Sequence, residues 1–301
     1  MLWMLGGMLL AGLPACSGSD EEPSKPDDGV KVRRITITET EDAAATRQMM
    51  TRASLAEGDD ILNASWTAGD GLTYCNMSRT TGGGYSPIFG NLTAARTATT
   101  SQFTGNVTCS AGDYLAVVYP ATTFYYNDRY TISLTGQDGT LAKLATTYHY
   151  VYGKATVTEV TETTANATMP KMKSLLTVCK FSFVDRTNSS SIPIKSLSIS
   201  YSTGDSQDGK YPQSATVALT DGSTIKDQDD VHASGADITA PLTITCATAQ
   251  DAVYVALLPT AAQSTFNFTV TNDDGTYTGT AKATLVEGEY VVATGLKLTK
   301  Q

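Results

Sequence analysis

The chain has 301 residues, 41% of them hydrophobic and only 17% charged, with a formal net charge of −9. That length and apolar content suffice for two buried cores and exclude wholesale disorder. The negative charge excludes an electrostatic footprint for nucleic acid, and anionic lipid would repel the chain unless a covalent anchor held it.

Met1 to Ala15 is an apolar run too short to cross a bilayer, and it reads as a signal-peptide core. No Lys or Arg precedes Cys16, although a signal peptide ordinarily opens on positive charge. Cys16 closes Leu13-Pro14-Ala15-Cys16. A Leu three residues ahead and a small residue just ahead fit a lipobox, with Pro14 a less usual middle residue, so Cys16 is the expected lipidation site. Residues 16–29 form an acidic tether carrying Asp20-Glu21-Glu22 and Asp27-Asp28. Acidic residues directly after a lipidated Cys resemble the surface-export signal of Bacteroidota lipoproteins, which implies the outer face of the outer membrane.

Val30 to Thr38 is strand-like. Ile35 and Ile37 alternate with Thr36 and Thr38 and give one apolar face; Val30 and Val32 belong to the same strand. A loop of small residues follows, containing Arg47 and Arg52. From there on the pattern is short Thr-rich runs separated by Gly, Asp and Asn turns. Thr is β-branched and favours strands, so the expected class is all-β.

Ile61 to Trp66 and Gly71 to Met77 read as strands around the turn Ala68-Gly69-Asp70. Gly82-Gly83-Gly84 lacks the following Lys-Ser/Thr of a phosphate-binding loop. Phe103, Gly105, Val107 and Cys109 share one strand face. Tyr114 to Tyr119, ending at Pro120, is continuously apolar and suits a strand covered on both sides. Tyr130 to Leu134 and Tyr148 to Val151 are further strands. A domain boundary is expected near Thr161 to Lys173, giving a signal peptide (1–15), a tether (16–29) and two β-sandwich domains (30–168 and 169–301).

In the second half, Leu175, Cys179, Phe181 and Phe183 line one face. Val253 to Leu258 ends at Pro259 and echoes the run that ends at Pro120. Phe266 to Val270, the turn Asp273-Asp274-Gly275, and Tyr277 to Leu285 predict a hairpin. Gly288-Glu289-Tyr290 opens the last strand. No long amphipathic helix is expected.

Chemistry-bearing groups are sparse. The two histidines, His149 and His232, lack neighbours at metal-ligand spacing. Asp221, Asp227, Asp229 and Asp230 lack the Gly and terminal Glu of an EF-hand and read as a solvated acidic loop. Cys75 with Cys109 and Cys179 with Cys246 are either disulfides or small core fillers. No G-x-S-x-G elbow occurs. The expectation is a non-enzyme with no catalytic residue, no metal and no cofactor. Trp66 and the cluster Phe124-Tyr125-Tyr126 could stack on sugars if exposed, and Trp66 reads first as core.

Taken together, these pieces resemble the Bacteroidota fimbrillins, the major-fimbrium-type pilins and their lipoprotein relatives. The matching segments are Leu13-Pro14-Ala15-Cys16, Ala45-Thr46-Arg47, Thr51-Arg52-Ala53-Ser54-Leu55 and Trp66-Thr67-Ala68-Gly69-Asp70. Phe103-Thr104-Gly105, Ala111-Gly112-Asp113-Tyr114 through Tyr119-Pro120-Ala121, and Val255-Ala256-Leu257-Leu258-Pro259 continue them. The resemblance implies two transthyretin-like β-sandwich domains in tandem and no enzyme activity. It implies export as a surface lipoprotein, partnership with other fimbrial subunits, and a host or bacterial surface receptor. It also implies that an arginine-specific protease removes the lipidated end with the first strand, Val30 to Thr38. The cut would follow Arg47 or Arg52, and a neighbour's strand would refill the groove. The other reading is a surface-anchored glycan-binding lipoprotein that does not polymerise.

Overall fold

A computed structural model of the chain describes residues 31–40, 54–58, 61–80, 87–123, 129–202, 210–223, 240–260 and 262–301. Lys31–Gln301 is one compact unit. Its first part runs β1 (Val32–Thr40), β2 (Ser54–Glu57), β3 (Leu62–Ser65), β4 (Gly71–Thr80), β5 (Pro87–Ala94), β6 (Gln102–Thr108), β7 (Tyr114–Tyr119) and β8 (Arg129–Ser133). A short helix α1 (Leu141–Lys143) and a π-turn, Leu144–Tyr148, come next. Then follow β9 (Val151–Val160), β10 (Thr164–Pro170) and β11 (Lys173–Ser174). The second part runs β12 (Thr177–Asp185), β13 (Ile194–Ser202), β14 (Ser214–Ala218), β15 (Leu242–Gln250), β16 (Val253–Leu257), β17 (Ser264–Asn272), β18 (Gly275–Ala283) and β19 (Tyr290–Lys300).

The first sheet has the order β10-β1-β6-β5-β4-β7-β9-β11, and β9 pairs back onto β10. Seven strands therefore close into a ring, which removes the unpaired edges an open sheet would carry. Inside it lie Ile35, Ile37, Trp66, Leu72, Leu92, Phe103, Leu115, Val117 and Met169. The Trp66 ring meets Phe103 and Tyr119 edge-on, with centroids 4.9 and 5.5 Å away. Strand β7 is buried on both faces. Leu115, Val117 and Tyr119 turn into the ring, and Ala116 and Val118 turn into a second core. A strand wet on neither side has no reason to alternate, hence its unbroken apolar run.

The second part is a sandwich hinged on one long strand. β19 pairs in parallel with β12, which pairs with β16. At its far end β19 crosses to β18, continuing to β17, β13 and β15. The β12–β19 register slips between Phe181 and Phe183, where β19 carries one extra residue. Gly295 sits there at φ +67°, a left-handed conformation that suits a bulged strand. Phe181, Phe183 and Phe268 pack between the layers, with Phe268 centroids 5.2 and 5.5 Å from the other two. The expected hairpin is β17–β18, with Asn272 opposite Gly275 across Asp273-Asp274.

One strand start differs from the sequence reading. Tyr148 closes the π-turn instead of opening a strand. Its ring is buried and its hydroxyl donates to the Thr135 carbonyl at 2.6 Å, which commits it to the loop rather than to a ladder. Residue 168 lies inside β10, whose ladder with β1 runs on to Pro170, and β11 still pairs with β9. The change of sheet thus falls between Ser174 and Thr177. Finally, β8 pairs with β14 from the second part, so the two parts share a core containing Leu62, Tyr130, Ile132, Val217 and Val255. Gln137 stitches the same junction, donating to the Ala256 carbonyl at 3.0 Å and accepting from its N–H at 2.7 Å.

Cys75, Cys109, Cys179 and Cys246 are not joined in disulfides, and all four are buried. They serve as core fillers, and burial pushes the Cys75 thiol up to about 11.

Candidate functional site

The site of interest is the slot that β1 occupies. β1 runs parallel to β10 from Arg34↔Thr164 to Thr40↔Pro170. On its other side it is antiparallel to β6, from Val32↔Thr108 to Thr38↔Gln102. It is thus a fully paired member of the ring, and the residues it turns inward are Arg33, Ile35, Ile37 and Glu39. Val32 is 66% exposed, because strand parity puts it on the face of Arg34, Thr36 and Thr38, whereas Arg33 shares the isoleucine face. Val30 lies outside the described residues.

The two inward charges sit at opposite ends of the slot. The Arg33 guanidinium donates to the carbonyls of Thr161 at 2.7 Å and Cys109 at 2.5 Å, and more weakly to Lys31 at 3.4 Å. Glu39 accepts from the Trp66 indole N–H at 3.1 Å and from the Met172 backbone N–H at 3.2 Å. Both side chains are nearly dry, at 6% and 5% exposure. Buried charges persist only where such partners surround them. The signal was present in the sequence: stepping by two from Ile35 and Ile37 reaches Arg33 and Glu39.

A second feature lies just downstream of the expected processing segment. Hairpin β2–β3 places Glu57 on the outer face of β16, β12 and β19. Its carboxylate accepts from Lys180 Nζ at 2.7 and 2.8 Å, from the Tyr254 hydroxyl at 2.6 Å and from the Tyr290 hydroxyl at 2.7 Å. The Lys180 and Tyr254 bonds hold the Glu57 carboxyl down to about 2 from its ordinary 4.5. Burial pushes Tyr290 up, and the Glu57 carboxylate to which its hydroxyl donates pushes it further. The folded value lies below the unfolded one, so the clasp stabilises fully above about pH 4.5 and fades as pH falls toward 2. Glu57→Gln should cost about 1 kcal/mol at pH 7, a figure kept small by solvent screening. Urea titrations should show the variant and the parent converging by about pH 2; a gap unchanged with pH would refute the assignment.

The remaining expected residues fall as follows. Cys16, Arg47, Arg52, His232 and Phe124-Tyr125-Tyr126 lie outside the described residues, as do Asp227, Asp229 and Asp230. Trp66 is fully buried and belongs to the ring core. His149 is buried beside the π-turn. Among the described residues no group of three or more His, Cys, Asp or Glu side chains could hold a metal.

No family model matches the chain, and no curated protein matches it. Solved structures do. A candidate cell adhesion protein from Bacteroides ovatus aligns with TM-score 0.51 at 13% identity, covering 90% of this chain and 96% of that one. One from Bacteroides uniformis aligns with TM-score 0.51 at 16% identity, covering 92% and 98%. The chain shares their fold. At such identities the likeness speaks for architecture alone. The shaft pilin SpaA of Lactobacillus rhamnosus GG also aligns, with TM-score 0.34 at 12% identity over 90% of this chain, too distant to bear weight.

Proposed function

We propose that this protein is a structural or adhesive subunit of a cell-surface fimbria, exported as a fimbrillin-like lipoprotein on Cys16 and assembled by strand addition. The reading comprises two tandem sandwich domains of transthyretin-like type, with their junction between Ser174 and Thr177. Its partners are other fimbrial subunits, with a lipid anchor in the outer membrane and a surface receptor. The observation that carries it is the position of β1. The strand is the first in the chain described, it is paired on both sides, and Ile35 and Ile37 are fully buried beneath it. Cleavage after Arg47 or Arg52 would let it leave. The ring would then open with β10 and β6 as bare edges around an apolar slot. An incoming strand restores both ladders and refills the slot. Head-to-tail addition of this kind does not close on itself and yields filaments.

The Glu57 clasp supports the same reading. A cut after Arg52 would leave the new N-terminus beside β2, already fastened to the second part. Mass spectrometry of protein from sheared surface filaments tests the proposal. A mature start at Gln48 or Ala53 is the expected result; Cys16 intact and acylated in every copy would overturn it. For the glycan-binding alternative, the burial of Trp66 removes one of its two platforms, and a glycan array probes the other.

A further inference from the structure

Resting on that reading, we infer that the slot selects its occupant by charge at both ends as well as by apolar fit between them. The strand it accepts carries a basic residue, two apolar residues and an acidic residue at alternate positions, and it comes from a subunit other than a second copy of this chain.

The argument starts from what β1 would leave behind. At one end the carbonyls of Thr161 and Cys109 converge on the Arg33 guanidinium. At the other, the Trp66 indole N–H and the Met172 backbone N–H converge on the Glu39 carboxylate. With β1 gone, one end of the slot presents acceptors and the other presents donors. An apolar strand would take the Glu39 acceptor away from the buried Trp66 indole N–H, a lost hydrogen bond that apolar contact would first have to offset. A strand with a carboxylate there and a guanidinium or ammonium at the far end satisfies both. Ile35 and Ile37 set the middle positions, since both are fully buried on the same face.

The ends also set the register. A slip of one residue would turn the charges outward and the threonines inward. A slip of two would place an isoleucine against the Trp66 N–H. Read along the chain in the direction of β1, basic-x-apolar-x-apolar-x-acidic occurs at Arg33 to Glu39 and at no other place. The last strand offers Val291, Ala293 and Gly295 on one face and Tyr290, Val292 and Thr294 on the other, with no carboxylate at the required spacing. A later strand of a second copy therefore lacks the matching ends, which points to a different subunit.

The test uses the full chain, folded first, with a protease recognition site inserted between Thr40 and Ser54 and then cut. β1 stays seated and is challenged with labelled peptides in excess. The first peptide is Lys31–Thr40 as it stands. The second carries Arg33→Leu and Glu39→Leu. The third is Tyr290–Lys300. Uptake of the first, with the second and third each weaker by about 30-fold or more, is the expected result. If the leucine peptide binds as well or better, the slot is merely hydrophobic and the end-selection fails, while strand replacement itself stands. If the third peptide binds like the first, the exclusion of a second copy fails. If no peptide enters while the cut protein remains folded, β1 cannot be replaced, and the proposed function falls along with this inference.

Discussion

Ile37→Ala will lower the unfolding free energy by about 3 kcal/mol, the typical cost of emptying a fully buried isoleucine site. Ile37 faces the ring interior from a strand held on both sides, opposite Phe103 on β6 and Ala167 on β10. Neither neighbour is free to collapse into the gap, because each is fixed by its own ladder. Thr38, one residue on, turns to solvent, and Thr38→Ala will cost no more than about 0.5 kcal/mol. Urea unfolding followed by far-ultraviolet circular dichroism measures both. Comparable losses in the two variants would mean that β1 does not present its isoleucines to the core. The same variant loosens β1 from its slot, so strand exchange should accelerate in step with the lost stability.

Gly105→Ala will be nearly as damaging, at about 2–4 kcal/mol, although it adds only one carbon. Gly105 sits in β6 between Ile35 of β1 and Leu92 of β5. A Cβ built there would lie 2.4 Å from the Asn91 carbonyl oxygen and 3.0 Å from Leu92 Cδ2. The Asn91 oxygen is backbone of the adjoining strand, so relief requires prising β5 from β6. Gly71→Ala is the control. Its nearest neighbour would be Ala121 Cβ at 3.6 Å, an ordinary contact, and it should cost under about 1 kcal/mol. Should the two variants unfold at the same urea concentration, the close approach of β5 and β6 at Gly105 would be disproved.

The elements most legible in the sequence are those whose cause is local. The β17–β18 hairpin declares itself through Asp273-Asp274-Gly275 between alternating runs. β7 declares itself through an apolar stretch too short for a buried helix. The inward charges of β1 are readable by parity, since Arg33 and Glu39 lie two residues to either side of Ile35 and Ile37. Pairings between distant segments left no trace in any window. Glu57 finds Lys180, Tyr254 and Tyr290 only once hairpin β2–β3 lies on the second part, and an isolated Glu in a polar stretch reads as solvated surface. The β8–β14 pair is hidden for the same reason: each strand is short and ordinary, and only the fold makes them neighbours.

In the second part of the chain the opening strand lies parallel to the closing one, β12 beside β19. Traction applied to the start of one and the finish of the other runs along the ladder rather than peeling it open. Hydrogen bonds loaded in that way share the force and must give way together.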